Sequence, residues 1–239
     1  AMRFTLLGSV EAFNGDRGCT PPAPKVRQVL ALLLFRANRL VRVDSVIEEL
    51  WRESPPKSAM TTAQTYIYHL RKMIEREGMA ERGEDVLRTQ PFGYTLSVPA
   101  GSVDAWEFER LAERGRAELD SGRSQEAAAT LGRALQLWTG QPLGNVACGP
   151  LLSGYAVQLE EQRLRVLQMR IEAELQLGRE RELVGELRRL AAENPLNEWF
   201  HGQLIRVLHD VGRRNEALEA YQRLRVLLSE ETGLSPSVE

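Results

Sequence analysis

Three glycines constrain the C-terminal half of this 239-residue chain more than any other feature. Counted from Gly122, Gly178 and Gly212, the same offsets carry the same kind of residue. Ala127, Leu183 and Ala217 lie five positions on, Leu131, Leu187 and Tyr221 nine, and Ala134, Leu190 and Leu224 twelve. Glycine closes helices because it enters the left-handed conformation without a Cβ clash, and small or aliphatic residues at helical spacing beyond it form the buried stripe of the next helix. A helix pair of this kind cannot bury its apolar face alone and must stack on a neighbour.

The Gly178 to Gly212 interval is 34 residues, the period of tetratricopeptide helix pairs, and Pro195 falls where such a repeat places its closing proline. The Gly122 to Gly178 interval is 56 residues, 22 more than one period. Its excess holds Trp138-Thr139-Gly140-Gln141-Pro142-Leu143 and a glycine- and proline-containing stretch up to Gly154, so an insertion or long loop is expected to interrupt the array.

Composition narrows the function classes. Hydrophobic residues at 43% and charged residues at 27% are ordinary globular values, and the length suits two domains. The longest apolar run, Val29 to Phe35, is far short of the ~20 residues that span a bilayer, so no membrane partner is expected. No secretory signal reads at the N-terminus. Two cysteines, Cys19 and Cys148, and three histidines, His69, His201 and His209, show no metal-ligand spacing, and no phosphate-cradling glycine loop or nucleophile elbow is present. No metal, cofactor or enzymatic activity is expected, and a reduced cytoplasm is the expected location. Glu48-Glu49 and Glu160-Glu161 are adjacent and point about 100° apart on a helix, unlike paired catalytic acids. Trp106, Trp138 and Trp199 read as core or repeat-packing residues, and the two repeat-array histidines as packed or solvated.

The net charge of −2 conceals an asymmetry: residues 1–100 hold 14 Lys+Arg against 11 Asp+Glu, whereas residues 101–239 hold 17 against 22. In the first half, RFTLLGSVEAF followed by Asn14-Gly15-Asp16 reads as a strand and turn, through loose alternation of Phe4, Leu6, Val10 and Phe13. A first helix with one buried stripe is predicted from Val26, Val29, Leu30, Leu33 and Leu34. A second helix, with Asp44 as N-cap, carries Val46, Ile47, Leu50 and Trp51 and stops at Pro55-Pro56. A third, with Ser58 as N-cap, places Ala63, Ile67, Leu70 and Ile74 on one narrow arc.

That third helix carries the functional reading. At ~100° per residue its opposite arc collects Thr61, Thr62, Thr65, Tyr68, His69, Lys72 and Arg76, flanked by Gln64 and Arg71, with no acid at the centre. Hydroxyl and amide side chains suit base edges and thymine methyls, and the later cations suit phosphates. Tyr68 is placed equally well on DNA or against a neighbouring hairpin. VLRTQPFGYTLSV alternates around Pro91 to Gly93 and reads as that hairpin.

Strands, three helices and a terminal hairpin form a winged helix-turn-helix, and RLVRVDSVIEELW, TYIYHLRKMI and VLRTQPFGYTL resemble, in order, the OmpR/PhoB-type winged-helix domain. LGRALQLWTGQPL, LEEQRLRVLQMRIEAELQLGRERELVGELRRLAAENPL and GRRNEALEAYQRLRVLLSEETGLSPS resemble the bacterial transcriptional activator domain. The pairing resembles the Streptomyces antibiotic regulatory protein (SARP) family, over nearly the whole chain. The resemblance implies a mainly α protein with a small β component: an OmpR/PhoB-type DNA-binding domain at 1–100, then an all-α, tetratricopeptide-like activator domain at 101–239. It implies an activator that binds direct repeats in promoter DNA near the −35 region, associates with itself on tandem sites and recruits RNA polymerase to secondary-metabolite (antibiotic) genes. The implied recognition surface includes Thr61, Thr62, Tyr68, His69 and Arg71, with Thr89 at the wing. The family often has a wing arginine where this chain has Pro91, for which Arg88 or Gln90 is the expected substitute. The loop Arg52-Glu53-Ser54-Pro55-Pro56-Lys57 is expected, by the same resemblance, to touch the sigma subunit. LSPSVE ends where the family usually continues into another helix. The competing expectation is a helical-repeat adaptor that binds proteins and whose winged helix does not bind DNA.

Overall fold

The computed structural model describes residues 1–231, so the LSPSVE segment and the end of the last motif lie outside the described residues. Two small antiparallel sheets and ten α-helices make up the described chain. Strands β1 (Met2–Thr5), β2 (Glu11–Asn14) and β3 (Arg17–Gly18) form one sheet, with Phe4 opposite Ala12. Then come α1 (Pro24–Phe35), β4 (Val41–Arg42), α2 (Val43–Trp51), α3 (Ala59–Arg76), the single turn α4 (Gly83–Val86), β5 (Leu87–Gln90) and β6 (Gly93–Leu96). The second sheet runs in the order β4-β6-β5. A 3-10 turn (Ala100–Ser102) leads to α5 (Asp104–Asp120), α6 (Ser124–Gln136), α7 (Pro150–Gln176), α8 (Glu180–Glu193), α9 (Glu198–Asp210) and α10 (Arg214–Glu231).

The glycine repeat is realised in the backbone. Gly122, Gly178 and Gly212 follow α5, α7 and α9 with φ of 78°, 77° and 83°, the left-handed closure that a Cβ would oppose. The residues at the repeated offsets are buried, except Tyr221 at 40% exposure, which lies on α10, the last helix of the described array. The expected interruption is residues 137–149 together with α7, which at 27 residues outruns an ordinary repeat helix.

Several local expectations are corrected. The segment from Arg3 to Phe13 is not one strand: it splits into β1 and β2, and the intervening Leu6, Leu7 and Val10 are fully buried. Their backbone is taken up by the helical half. Leu6 and Leu7 N–H donate to the Asp104 carboxylate (2.7 and 3.1 Å), Thr139 and Leu143 N–H donate to Leu7 and Leu6 carbonyls, and the Asn145 amide exchanges two hydrogen bonds with Val10. Helix α1 is buried over Gln28 to Leu34 rather than along one stripe, because α7 covers the face that the winged helix leaves open. Helix α2 starts at Val43 with Arg42 in the capping position, so Asp44 lies in the first turn instead of capping it. Ser58 occupies the N-cap of α3 but makes no side-chain cap; its carbonyl accepts from Thr62 N–H.

The seam between the halves is therefore built from polar groups as well as apolar ones. One buried core runs without interruption from Phe4 to Ala173, and a second smaller one, from Ile171 to Ala217, is confined to the last helices. Phe35 and Tyr155 stack across the seam at 3.7 Å between centroids. Glu49 is its most unusual member, at 2% exposure. Its carboxylate accepts from Gly149, Leu151 (3.0 Å) and Leu152 (2.9 Å) N–H at the start of α7, and from Gln28 Nε2 (2.7 Å). Four donors and the positive end of a long helix compensate the buried charge. Gly149 is obligatory there, since a Cβ would meet the Glu49 carbonyl oxygen at 2.0 Å.

Asp104 gives a pH signature to this seam. Burial pushes its carboxyl from 3.8 up to about 6, against the lowering effect of the Leu6 and Leu7 amides. The folded state then binds the proton more tightly than the unfolded chain, so this group favours folding below about pH 4 and its contribution is lost as pH rises through 6. Asp104→Asn abolishes that dependence: relative to the wild type, the variant gains up to about 3 kcal/mol between pH 4 and 7, superimposed on a constant loss from the amide it leaves without an acceptor. Urea unfolding of both proteins across that range measures the difference.

Candidate nucleic-acid interface

Helix α3 has the two-sided character that its periodicity predicts. Ala59, Ala63, Ile67, Leu70, Met73 and Ile74 are buried against α1, α2 and the wing. On the other side Thr61, Gln64, Thr65, Tyr68, His69, Lys72 and Arg76 are exposed, with Thr62 and Arg71 half-buried at the edges. Thr65 Oγ1 donates to the Thr61 carbonyl at 3.0 Å, one turn back along the helix. Tyr68 is 55% exposed and makes an edge contact with His69 and a cation–π contact with Lys72, so of its two placements the structure supports the open face.

The cations of this surface divide into two roles. Arg71 reaches sideways, donating from Nε to the Leu87 carbonyl and from Nη2 to Thr89 Oγ1, both at 2.8 Å, and its guanidinium lies over Tyr94. It clips α3 to strand β5 and so positions the wing, and Thr89 is its acceptor. Lys72 is exposed; Glu75, 3.3 Å away, raises its pKa first through a hydrogen bond and then through charge. Glu75 itself is turned toward α4, where the Gly83 N–H is the first cause of its lowered pKa and the Lys72 hydrogen bond the second. Arg76 pairs with Glu77 at 3.5 Å.

The wing is a tight hairpin whose strands pair from Leu87 with Leu96 to Gln90 with Gly93, leaving Pro91 and Phe92 as its two-residue loop. Arg88, Thr89 and Gln90 are all exposed, and Arg88 Nε donates to the Asp85 carbonyl at 3.4 Å. The loop after α2 is exposed throughout Arg52, Glu53, Ser54, Pro55, Pro56 and Lys57, and starts from Arg52 at φ 57°. The alternation in sequence groups Phe92 with Tyr94, Leu96 and Val98 as apolar hairpin positions, but those three are buried and Phe92 is exposed at the tip. The signal was a bulky residue between a proline and a glycine at a hairpin tip.

No helix among the described residues is long and apolar enough to cross a membrane, and no cluster of three or more metal-ligating side chains occurs among them.

An open amphipathic helix flanked by a hairpin and joined to stacked helix pairs defines a winged-helix domain followed by a helical-repeat domain. Residues 20–96 match the model of the transcriptional regulatory protein C-terminal domain, and residues 103–239 that of the bacterial transcriptional activator domain. The chain is 41% identical to the regulatory protein DnrI of Streptomyces peucetius over 99% of its own length and 88% of the relative's. It is 32% identical to the transcriptional regulator RedD of Streptomyces coelicolor, covering 98% and 67%. The solved structure of Mycobacterium tuberculosis EmbR in complex with low affinity phosphopeptide superposes with a TM-score of 0.93 at 32% identity, covering 99% of this chain and 62% of that one. Of the AfsR regulator of Streptomyces griseus it spans only 24%. The chain belongs to the SARP family of transcriptional activators.

Proposed function

We propose that this protein activates transcription by laying the exposed face of α3 in the major groove of promoter DNA, with direct repeats near the −35 region as its target. The observation that carries the reading is that Thr61, Gln64, Thr65, Tyr68, His69 and Lys72 form one open surface, while the neighbouring Glu75, paired with Lys72, is half-buried and turned toward the Gly83 amide. The threonines and Gln64 supply short donors, acceptors and methyl groups for base edges. Lys72, Arg76 and Arg88 supply phosphate contacts that set register without reading sequence. Arg71 acts through Thr89 and Leu87, holding the wing at a fixed angle to α3.

The rigid seam gives recruitment a physical basis. Because α2 is fastened to α7 through Glu49, a protomer seated on DNA presents its repeat array and its 52–57 loop at a fixed orientation. Two protomers on tandem repeats then face RNA polymerase identically, with the loop, including Glu53, Ser54, Pro55, Pro56 and Lys57, offered to sigma. Resemblance to the family adds that the regulated genes are those of secondary metabolism, that the protein acts in the cytoplasm and that it performs no catalysis.

Selection of duplexes from a random pool, followed by affinity measurements at increasing salt, tests the reading. Specific duplexes are recovered, affinity falls steeply with salt, and Lys72→Ala lowers the slope of log K against log salt by up to about one. A chain that retains no duplex at any salt refutes it.

A further inference from the structure

Phe92 at the wing tip is, among the described residues, the most exposed of the large apolar side chains, at 71%. A single exposed apolar residue is normally unremarkable. This one also holds a φ of 70°, in the left-handed region where a bulky side chain is a true outlier. Glycine would occupy the position without strain.

The strain is imposed from three sides. Val43 N–H donates to the Phe92 carbonyl at 2.9 Å, anchoring the tip to the start of α2. Gly93 pairs with Arg42 so closely that a Cβ would lie 2.1 Å from the Val41 carbonyl oxygen, which leaves the next strand no room to shift. The Arg42 guanidinium sits over the Phe92 ring at 5.3 Å to the centroid. The result is an aromatic ring held outward by the backbone, braced by a cation, on a loop of only two residues. Strain that persists under so many restraints marks sites where the held geometry is used.

The tip is also placed for a groove. Arg71 fixes Thr89 to the middle of α3, and three extended residues carry Phe92 at most ~10 Å beyond Thr89. With α3 in a major groove, the surface beside it is the phosphate wall and the minor groove behind that wall. Arg42, which lies over the Phe92 ring, is exposed and supplies a cation that such a wall attracts.

We infer that Phe92 is an apolar wedge that enters the minor groove next to the major groove occupied by α3, packing on deoxyribose and partly unstacking a base step. Phenylalanine is one of the residue types that perform this role. The inference rests on the DNA-binding reading above and adds to it that the wing's contribution is apolar and insensitive to salt. It also predicts a preference for easily unstacked pyrimidine–purine steps at the site the wing faces.

The test uses the duplex that the wild-type chain selects from a random pool. Phe92→Gly removes the ring and relieves the backbone, so its melting temperature is equal to or above that of the wild type. Its affinity falls roughly tenfold or more while the slope of log K against log salt is unchanged, and Phe92→Leu recovers most of the loss. The wedge is overturned if wild type and Phe92→Gly bind that duplex equally, or if the loss in Phe92→Gly comes with a shallower slope, as a lost phosphate contact requires. Failure of the wild type itself to retain any duplex overturns the DNA-binding reading, and the wedge falls with it.

Discussion

Glu49→Ala unfolds at a temperature on the order of 10 °C below the wild type, a loss of about 3–5 kcal/mol. The reason is what the carboxylate leaves behind. Gly149, Leu151 and Leu152 N–H and the Gln28 amide all donate to it, and the site is buried, so water does not replace the lost acceptor without opening the seam. Each orphaned buried donor carries a desolvation cost, and the start of α7 also loses the negative charge that its dipole favours. Glu49→Gln tests the charge separately from the volume: one of the two oxygens becomes an amide NH2, a donor that faces donors, so the variant is also destabilised. Thermal unfolding followed by circular dichroism reads both. Native Glu49→Ala further exposes the Gly149, Leu151 and Leu152 amides to hydrogen exchange, whereas amides within the second core, around Leu187 and Phe200, keep their protection because that core is separate.

Thr65→Glu abolishes tight duplex binding, with a loss on the order of 100-fold or more, because a carboxylate set against the polyanion costs several kcal/mol. The substitution is at an exposed position of a helix, so its effect on folding stays within about 0.5 kcal/mol. The contrast with Lys72→Ala is informative. Removing one cation weakens binding to all sequences by the same modest factor, whereas a charge at Thr65 strikes the middle of the reading face. Fluorescence anisotropy on the selected duplex and on an unrelated one separates the two patterns.

The exposed face of α3, the wing and the glycine turns were legible from the sequence because each is a local, periodic signal. Ala63, Ile67, Leu70 and Ile74 announce their burial through spacing, and Gly122, Gly178 and Gly212 announce helix ends through a conformation that glycine enters freely. The seam was not legible. Glu49 looks like any solvated helical glutamate, since its partners lie about 100 positions away at the start of α7. Leu6 to Val10 carry the apolar content of a strand, but their backbone groups are satisfied by Asp104, Thr139, Leu143 and Asn145, a set that no alternation in sequence records. The same long-range cover accounts for α1, whose Ala31 and Leu32 fall outside its predicted stripe yet are fully buried. Arg71 shows a further limit: an arginine at the edge of the exposed face of α3 is spent on holding the wing, which only coordinates reveal.

The claim that the open face of α3 is the DNA reader is tested most directly by hydroxyl-radical oxidation of the whole chain, with and without saturating selected duplex, read residue by residue by mass spectrometry. Tyr68 and His69 are exposed and reactive in the free protein, and on binding their oxidation falls sharply while that of Tyr221 on α10 is unchanged. Unaltered oxidation of Tyr68 and His69 on bound DNA, with protection appearing on the helical array instead, contradicts the assignment.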